Sequence, residues 1–204
     1  MVYNNFFFRF IFGFILITLY WFISSYSNDY ILILSFVIYF LILIEILLFF
    51  KENKFIAIIY ILLSFLFFIT YFKYYFNINE FNYFLTIIIS FDIFSYLIGK
   101  LIGKNIILEK ISPKKTYEGL IGGIILSNIL ILIIYNNNYN FIYFLFTNFI
   151  ILFSFLGDII ESKLKRLNNL KNSSNLLPGH GGFFDRFDSF ILSIIVLSLY
   201  NYLY

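Results

Sequence analysis

Residues Tyr30 to Phe50 read YILILSFVIYFLILIEILLFF, 21 positions with one charged residue, Glu45, and no proline or glycine. A bilayer core about 30 Å thick is crossed by roughly 20 apolar residues rising about 1.5 Å each. Lipid offers backbone amides no partner, so such a run must satisfy them internally, as a helix. The alternating polarity of outer-membrane strands is absent. Working outward, the same reading applies to Phe6 to Ile23, Phe55 to Phe72, Phe81 to Ile98, Leu120 to Tyr135, Phe141 to Ile160 and Phe183 to Tyr202. The expectation is an all-α, polytopic integral membrane protein of about seven transmembrane helices, with residues 1–204 forming one transmembrane domain.

Composition agrees: 62% of residues are hydrophobic and 25% aromatic, and the mean hydropathy is +0.92. No water-soluble globule packs such a chain. The apolar runs recur along the whole length, which excludes a signal peptide joined to a soluble domain. With no cysteine there is no disulfide, thiolate metal site or cysteine nucleophile. Cationic loops stay in the cytoplasm. With the loop between the fourth and fifth runs placed there, 13 of the 14 Lys and Arg fall on that side and Lys73 alone falls outside. The N-terminus is then cytoplasmic, the C-terminus outside, and the polar face turned to the cytoplasm.

The chemistry concentrates between the last two runs, in Ser162 to Ser189, SKLKRLNNLKNSSNLLPGHGGFFDRFDS, which holds the only histidine of the chain. If the sixth helix continues past the membrane surface, Asp158, Glu161 or Ser162, and Lys165 share one face at i, i+3 or i+4, and i+7. The glycines around His180 permit tight backbone approach to a ligand. Asp185 and Asp188 lie three apart on one face of the last helix, with Arg186 between them. Paired carboxylates facing Lys and Arg at a membrane surface suit a hard cation that keeps waters and bridges phosphate oxygens. The bland alternative is a solvated lysine-rich loop whose aspartates favour a helix N-terminus. The conjunction of glycine turn, aspartate pair and Gly157-Asp158 favours a site.

Two further regions carry polar residues. In GKLIGKNIILEKISPKKTYEGLIGG, Gly99 to Gly123, Lys104 and Lys110 read as a lipid-attracted patch. Ser112 is expected to cap a turn whose first helical residue is Pro113, leaving amides with Lys114 and Lys115 toward a phosphate. Among membrane carboxylates, which usually face a protein interior or a wet cavity, Asp92 and Asp158 read as site members. For Glu45, partnership with a nearby lysine or a helix amide remains open beside a site role.

Gly157-Asp158, Ser162-x-x-Lys165-Arg166, Lys171 and Pro178-Gly179-His180-Gly181-Gly182-x-x-Asp185-Arg186-x-Asp188 together resemble the signature of the phosphatidate cytidylyltransferases, the CDP-diacylglycerol synthases. Asp92, Gly99-Lys100, Gly103-Lys104, Ser112-Pro113-x-Lys115-Thr116 and Gly119-x-x-Gly122-Gly123 are similar to that family in order and approximate spacing. The resemblance runs from about Asp92 to the end, so residues 81–204 are expected to form the catalytic core and residues 1–80 the N-terminal helices. Where the family usually has Lys-Asp, this chain has Lys171-Asn172.

The resemblance implies transfer of CMP from CTP to phosphatidate, giving CDP-diacylglycerol and pyrophosphate at a bacterial inner membrane. Its partners would be CTP, phosphatidate and bilayer lipid, with no nucleic acid and with room for a homodimer. Magnesium is the expected cofactor, with room for a monovalent cation beside it. Asp158 and Asp185 are the expected metal ligands, and Lys165, Arg166, Lys171, His180, Arg186 and Asp188 complete the catalytic set. Asp92, Ser112, Lys115, Thr116, Gly179, Gly181 and Gly182 are expected at the substrates. Two alternatives from other classes stand beside this: a CTP-using kinase of a polyprenol, which phosphorylates a lipid alcohol, and a non-catalytic membrane protein or relic.

Overall fold

The computed structural model describes residues 18–136, 140–174, 176 and 181–203. Among these, residues 18–26 form α1, followed by α2 (Asn28–Phe49), α3 (Lys54–Tyr74) and α4 (Ile78–Ile102). Two short strands, β1 (Ile106–Leu108) and β2 (Ser112–Thr116), lead into α5 (Tyr117–Ile134), α6 (Phe141–Leu167) and α7 (Phe184–Leu203). The six helices α2 to α7 are each long and apolar enough to cross a membrane. The chain is thus an all-α, multi-pass membrane protein. The first apolar run lies largely outside the described residues; its end falls in α1.

Short polar turns start these helices, and their side chains take up the orphan amides of each first turn. Asn77 accepts from Asn79 N at 2.9 Å, Thr116 Oγ1 from Gly119 N at 3.1 Å and Asn140 Oδ1 from Tyr143 N at 3.0 Å. Ser112 does not cap a helix, and Pro113 does not begin one. Both belong to β2, which pairs antiparallel with β1 through Ile106 with Thr116 and Leu108 with Ser112. Two steps along β1 match four along β2, so the ladder bulges between the paired residues. A bulge tolerates a proline that donates no hydrogen bond. The cap of α5 passes to Thr116, four residues on.

In lipid the apolar effect does not drive helices together; close packing and hydrogen bonds do. Helices α4 and α5 meet over a glycine face, where a Cβ on Gly119 would lie 2.7 Å from Ser95 O and one on Gly123 2.9 Å from Ser95 Cβ. Tyr39 and Ser64 bond at 2.6 Å, and Ser64 Oγ donates to Ile191 O at 2.6 Å, joining α2, α3 and α7. Tyr83 and Thr147 join α4 to α6 at 2.6 Å. Ile42, Ile46, Ile61, Phe68, Phe84 and Ile194 fill the interior. Phe40, Leu48, Phe55, Leu66 and Ile133 face outward, as lipid contact requires.

One end of the bundle is polar and tied together. Asn168, at the end of α6, accepts from Lys51 N at 2.6 Å and Glu52 N at 2.7 Å in the α2–α3 turn. Arg166 Nε donates to Ile111 O in the hairpin at 3.2 Å. The cationic turns of the sequence are therefore neighbours in space, and Lys73, in the last turn of α3, lies at the other end of that helix.

Candidate active site

Gly157 sets the distance between α6 and α7. A Cβ there would lie 2.5 Å from Asp188 O and 3.2 Å from Leu192 Cβ, so only hydrogen lets the two backbones approach this closely. The approach brings Asp158 and Asp188, from different helices, beside Glu161 one turn along α6. One carboxylate oxygen of each lies within 4.8 Å of the others. Like charges at that separation repel by roughly 3 kcal/mol per pair at an effective dielectric of about 20.

Two lysines partly offset this. Lys115, from β2, reaches Asp158 Oδ2 at 2.7 Å, its ammonium 4.6 Å from the centre of the Phe155 ring. Lys165 sits 2.8 Å from Glu161 Oε2 and 2.5 Å from Asp185 Oδ1. Glu161 is fully buried, yet neither of its oxygens receives a well-directed hydrogen bond. Lys165 is thus the charge that offsets its burial. Ser162 Oγ donates to Asp158 Oδ1 at 3.3 Å, and Asp188 Oδ1 accepts from Ser189 N at 2.8 Å.

Of these groups, Lys115, Asp158, Asp188 and Ser189 border a cavity of about 380 Å³. Ser112, Lys114, Lys115 and Thr116 of the hairpin line one wall, Asp92, Ser95 and Tyr96 of α4 another, and Asp158, Asp185, Arg186, Asp188 and Ser189 of α6 and α7 a third. Asp92 Oδ1 accepts from Ser189 Oγ at 3.3 Å, linking α4 to α7. The hydroxyl of Thr116 is engaged as the α5 cap while its residue borders the cavity.

Asp185 occupies a different setting. Its Oδ2 accepts from Ser173 N at 2.8 Å, Ser173 Oγ at 3.0 Å and Gly182 N at 2.8 Å, and its Oδ1 holds Lys165. The two residues expected as a metal pair, Asp158 and Asp185, border the same cavity but have different partners. Asp158 stands with Glu161 and Asp188, while Asp185 is taken up by amides, a hydroxyl and a lysine.

The other residues named from the sequence are placed as follows. Gly181 and Gly182, expected at the substrates, lie against carboxylates. Gly181 has φ +87°, and a Cβ there would collide with Asp185 Oδ2. At Gly182 it would meet Ser173 Oγ and both oxygens of Glu45. Arg166 donates to Ile111 O and Leu170 O and lies off the cavity wall. Lys171 is exposed and likewise off that wall. Gly179 and His180 lie outside the described residues.

Sequence reasoning undervalued two acids. Glu161 carried its own signal, three residues after Asp158 and four before Lys165, but had not been given a site role. Glu45 meets the amides of Phe183 and Phe184 at 2.7 and 3.0 Å, the helix-amide alternative left open for it.

The fold and site define a multi-pass helical membrane protein with an acidic, lysine-flanked cleft at one end, a class suited to phosphate esters and a hard cation. The chain belongs to the cytidylyltransferase family, whose profile matches residues 55–204. It is 45% identical over 109 residues to the phosphatidate cytidylyltransferase of Bacillus subtilis, covering 52% of this chain and 40% of that protein. It is 41% identical over 112 residues to the one of Staphylococcus haemolyticus, covering 53% and 43%. It is 42% identical over 128 residues to the one of Rickettsia bellii, covering 58% and 55%. The chain spans about half the length of the curated relatives it matches.

Proposed function

We propose that this chain transfers CMP from CTP to phosphatidate, forming CDP-diacylglycerol and pyrophosphate. The observation that carries the reading is the partly buried Asp158–Glu161–Asp188 cluster, in which Glu161 has Lys165 as its partner and Lys115 meets Asp158 on the other flank. Such a donor set fits a hard divalent cation, magnesium in this reading, held by Asp158, Glu161 and Asp188. When bound, the cation supplies charge neutralisation on phosphate oxygens. The reaction joins an oxygen of the lipid phosphate to the α-phosphorus of CTP and breaks the bond from that phosphorus to the oxygen bridging to the β-phosphorus. Pyrophosphate leaves with the bonding pair, and no protein nucleophile is needed.

The residues of the chain have positioning and electrostatic tasks. Lys115, Lys114 and Arg186 place positive charge along the cavity for the phosphates, where preorganised donors stabilise developing charge. Lys165 is held between Glu161 and Asp185 and keeps the cluster from carrying its full negative charge. Asp92 and Ser189 fix α4 against α7 at the cavity wall.

The acceptor is a lipid phosphate rather than a lipid alcohol, in keeping with the name that the relatives carry. We place the polar end in the cytoplasm of a bacterial inner membrane, with the N-terminus inside and the C-terminus outside. The gathering of the cationic turns at one end supports this orientation. Membranes expressing the chain are expected to convert labelled CTP to CDP-diacylglycerol when given phosphatidate, and to leave polyprenol unphosphorylated. Phosphorylated polyprenol would make the chain a lipid kinase, and no product from either acceptor would make it a relic.

A further inference from the structure

Glu45 lies outside the stretch matched by the family profile, on α2, a helix that adds no other residue to the acidic network described above. It is fully buried, ten residues from the nearest other polar, non-aromatic side chain of its helix, Ser35. Oε1 receives Ser174 Oγ at 2.8 Å and Phe183 N at 2.7 Å; Oε2 receives Phe184 N at 3.0 Å and lies 3.0 Å from Ser173 Oγ, whose single proton it shares with Asp185 Oδ2. The donors come from two places: serines just after α6, and the amides that open α7.

The amides of a helix's first turn are orphans, and they attract negative charge. In α4, α5 and α6 they are met by a residue of the same chain segment. For α7 the task falls to a carboxylate from another helix. That same first turn carries Asp185, and Asp188 follows one turn later. A Cβ on Gly182 would strike both oxygens of Glu45, so the loop backbone is moulded to this carboxylate.

We propose that Glu45 is a positioning residue of the active site. It fixes the opening turn of α7 and the serines after α6 to α2, and so holds Asp185 and Asp188 at the separation from α6 that the acidic cluster requires. The functional half of this inference rests on the cytidylyltransferase reading; the anchoring half does not. Glutamine cannot replace the carboxylate. Its single oxygen serves one pair of donors, and its NH₂ would face an amide of Phe183 or Phe184 that is itself a donor.

The test uses the full chain purified in detergent, with three variants. Glu45→Gln is expected to speed hydrogen exchange at residues 182–184 by about tenfold or more, with the amides of 190–200 unchanged. Turnover number should fall on the order of a hundredfold, the usual scale for losing an outer partner of a ligating group, while KM for CTP stays within about threefold. Gly182→Ala, which displaces the carboxylate without altering it, should reproduce both effects. Ser64→Ala breaks the bonds to Tyr39 and Ile191 O on the same helices; it should lower the melting temperature and leave both readouts in place. Unchanged exchange at 182–184 in Glu45→Gln would overturn the anchor. Faster exchange with an intact turnover number would overturn the positioning role. If the wild type makes no CDP-diacylglycerol at all, the cytidylyltransferase reading falls, and exchange alone still decides the anchor.

Discussion

Two groups of carboxylates lie within a few turns of each other, and they are treated in opposite ways. Around Glu45 and Asp185 every oxygen has a donor: four amides, the Ser174 hydroxyl, Lys165 and a Ser173 hydroxyl shared between the two acids. Around Asp158, Glu161 and Asp188 three acids share two lysines, and Glu161 has no well-directed hydrogen bond. A carboxylate met by backbone amides organises backbone. A partly buried cluster of three acids has capacity to spare and carries mutual repulsion, which a cation relieves. The difference teaches that hydrogen-bond saturation, rather than residue type, separates scaffold from site here.

The largest expected effect lies in the undersaturated group. Asp188→Asn and Glu161→Gln should each cut conversion of labelled CTP about a thousandfold in membranes holding equal amounts of protein, since charge stabilisation at the reacting phosphorus is lost. Chelation should silence the wild type, and added magnesium or manganese should restore it. Activity that survives chelation would erase the distinction between the two groups.

Lys165 is the one side chain that belongs to both groups. Lys165→Met leaves Glu161 and Asp185 without their cation, and breaking a buried pair this way costs about 3 kcal/mol. A clearly lowered melting temperature in detergent is expected, and added magnesium should recover part of the loss by binding the freed acids. A melting temperature equal to that of the wild type would show that the ion pairs in the two groups are not the support described here.

Much of this was legible in the sequence, and the rest was hidden for specific reasons. Apolar length alone identifies α2 to α7, because lipid leaves a long apolar run no other structure. The stripe from Asp158 through Glu161 and Ser162 to Lys165 follows from helical spacing, and the structure joins its members at 3.3 and 2.8 Å. Which aspartate of α7 meets that stripe is not a matter of spacing. Asp185 and Asp188 share a face, and the choice depends on the height at which Gly157 lets α7 settle. The hairpin was hidden because SPKKT has no apolar alternation and begins with a pairing that a bulge interrupts. Glu45 was ambiguous because its donors lie more than a hundred residues away.

The smallest effect is expected at Asn172, where the family usually places an acid. Asn172 is exposed, does not line the cavity, and stands beside the saturated group, its Cβ 3.3 Å from where a side chain on Gly181 would begin. An acid there would be a neighbour of Asp185, not of Asp158, Glu161 or Asp188. A carboxylate whose task is to order a turn can be replaced by an amide, which keeps one carbonyl acceptor at the same reach. One whose task is to bind a cation cannot, because the charge is lost. The position of Asn172 favours the first task. Asn172→Asp is therefore expected to change turnover by less than about tenfold, or about 1.4 kcal/mol of barrier. A gain of several orders of magnitude would place that acid with the undersaturated group. It would also show the natural chain to be catalytically impaired, reducing the proposed transferase to a relic.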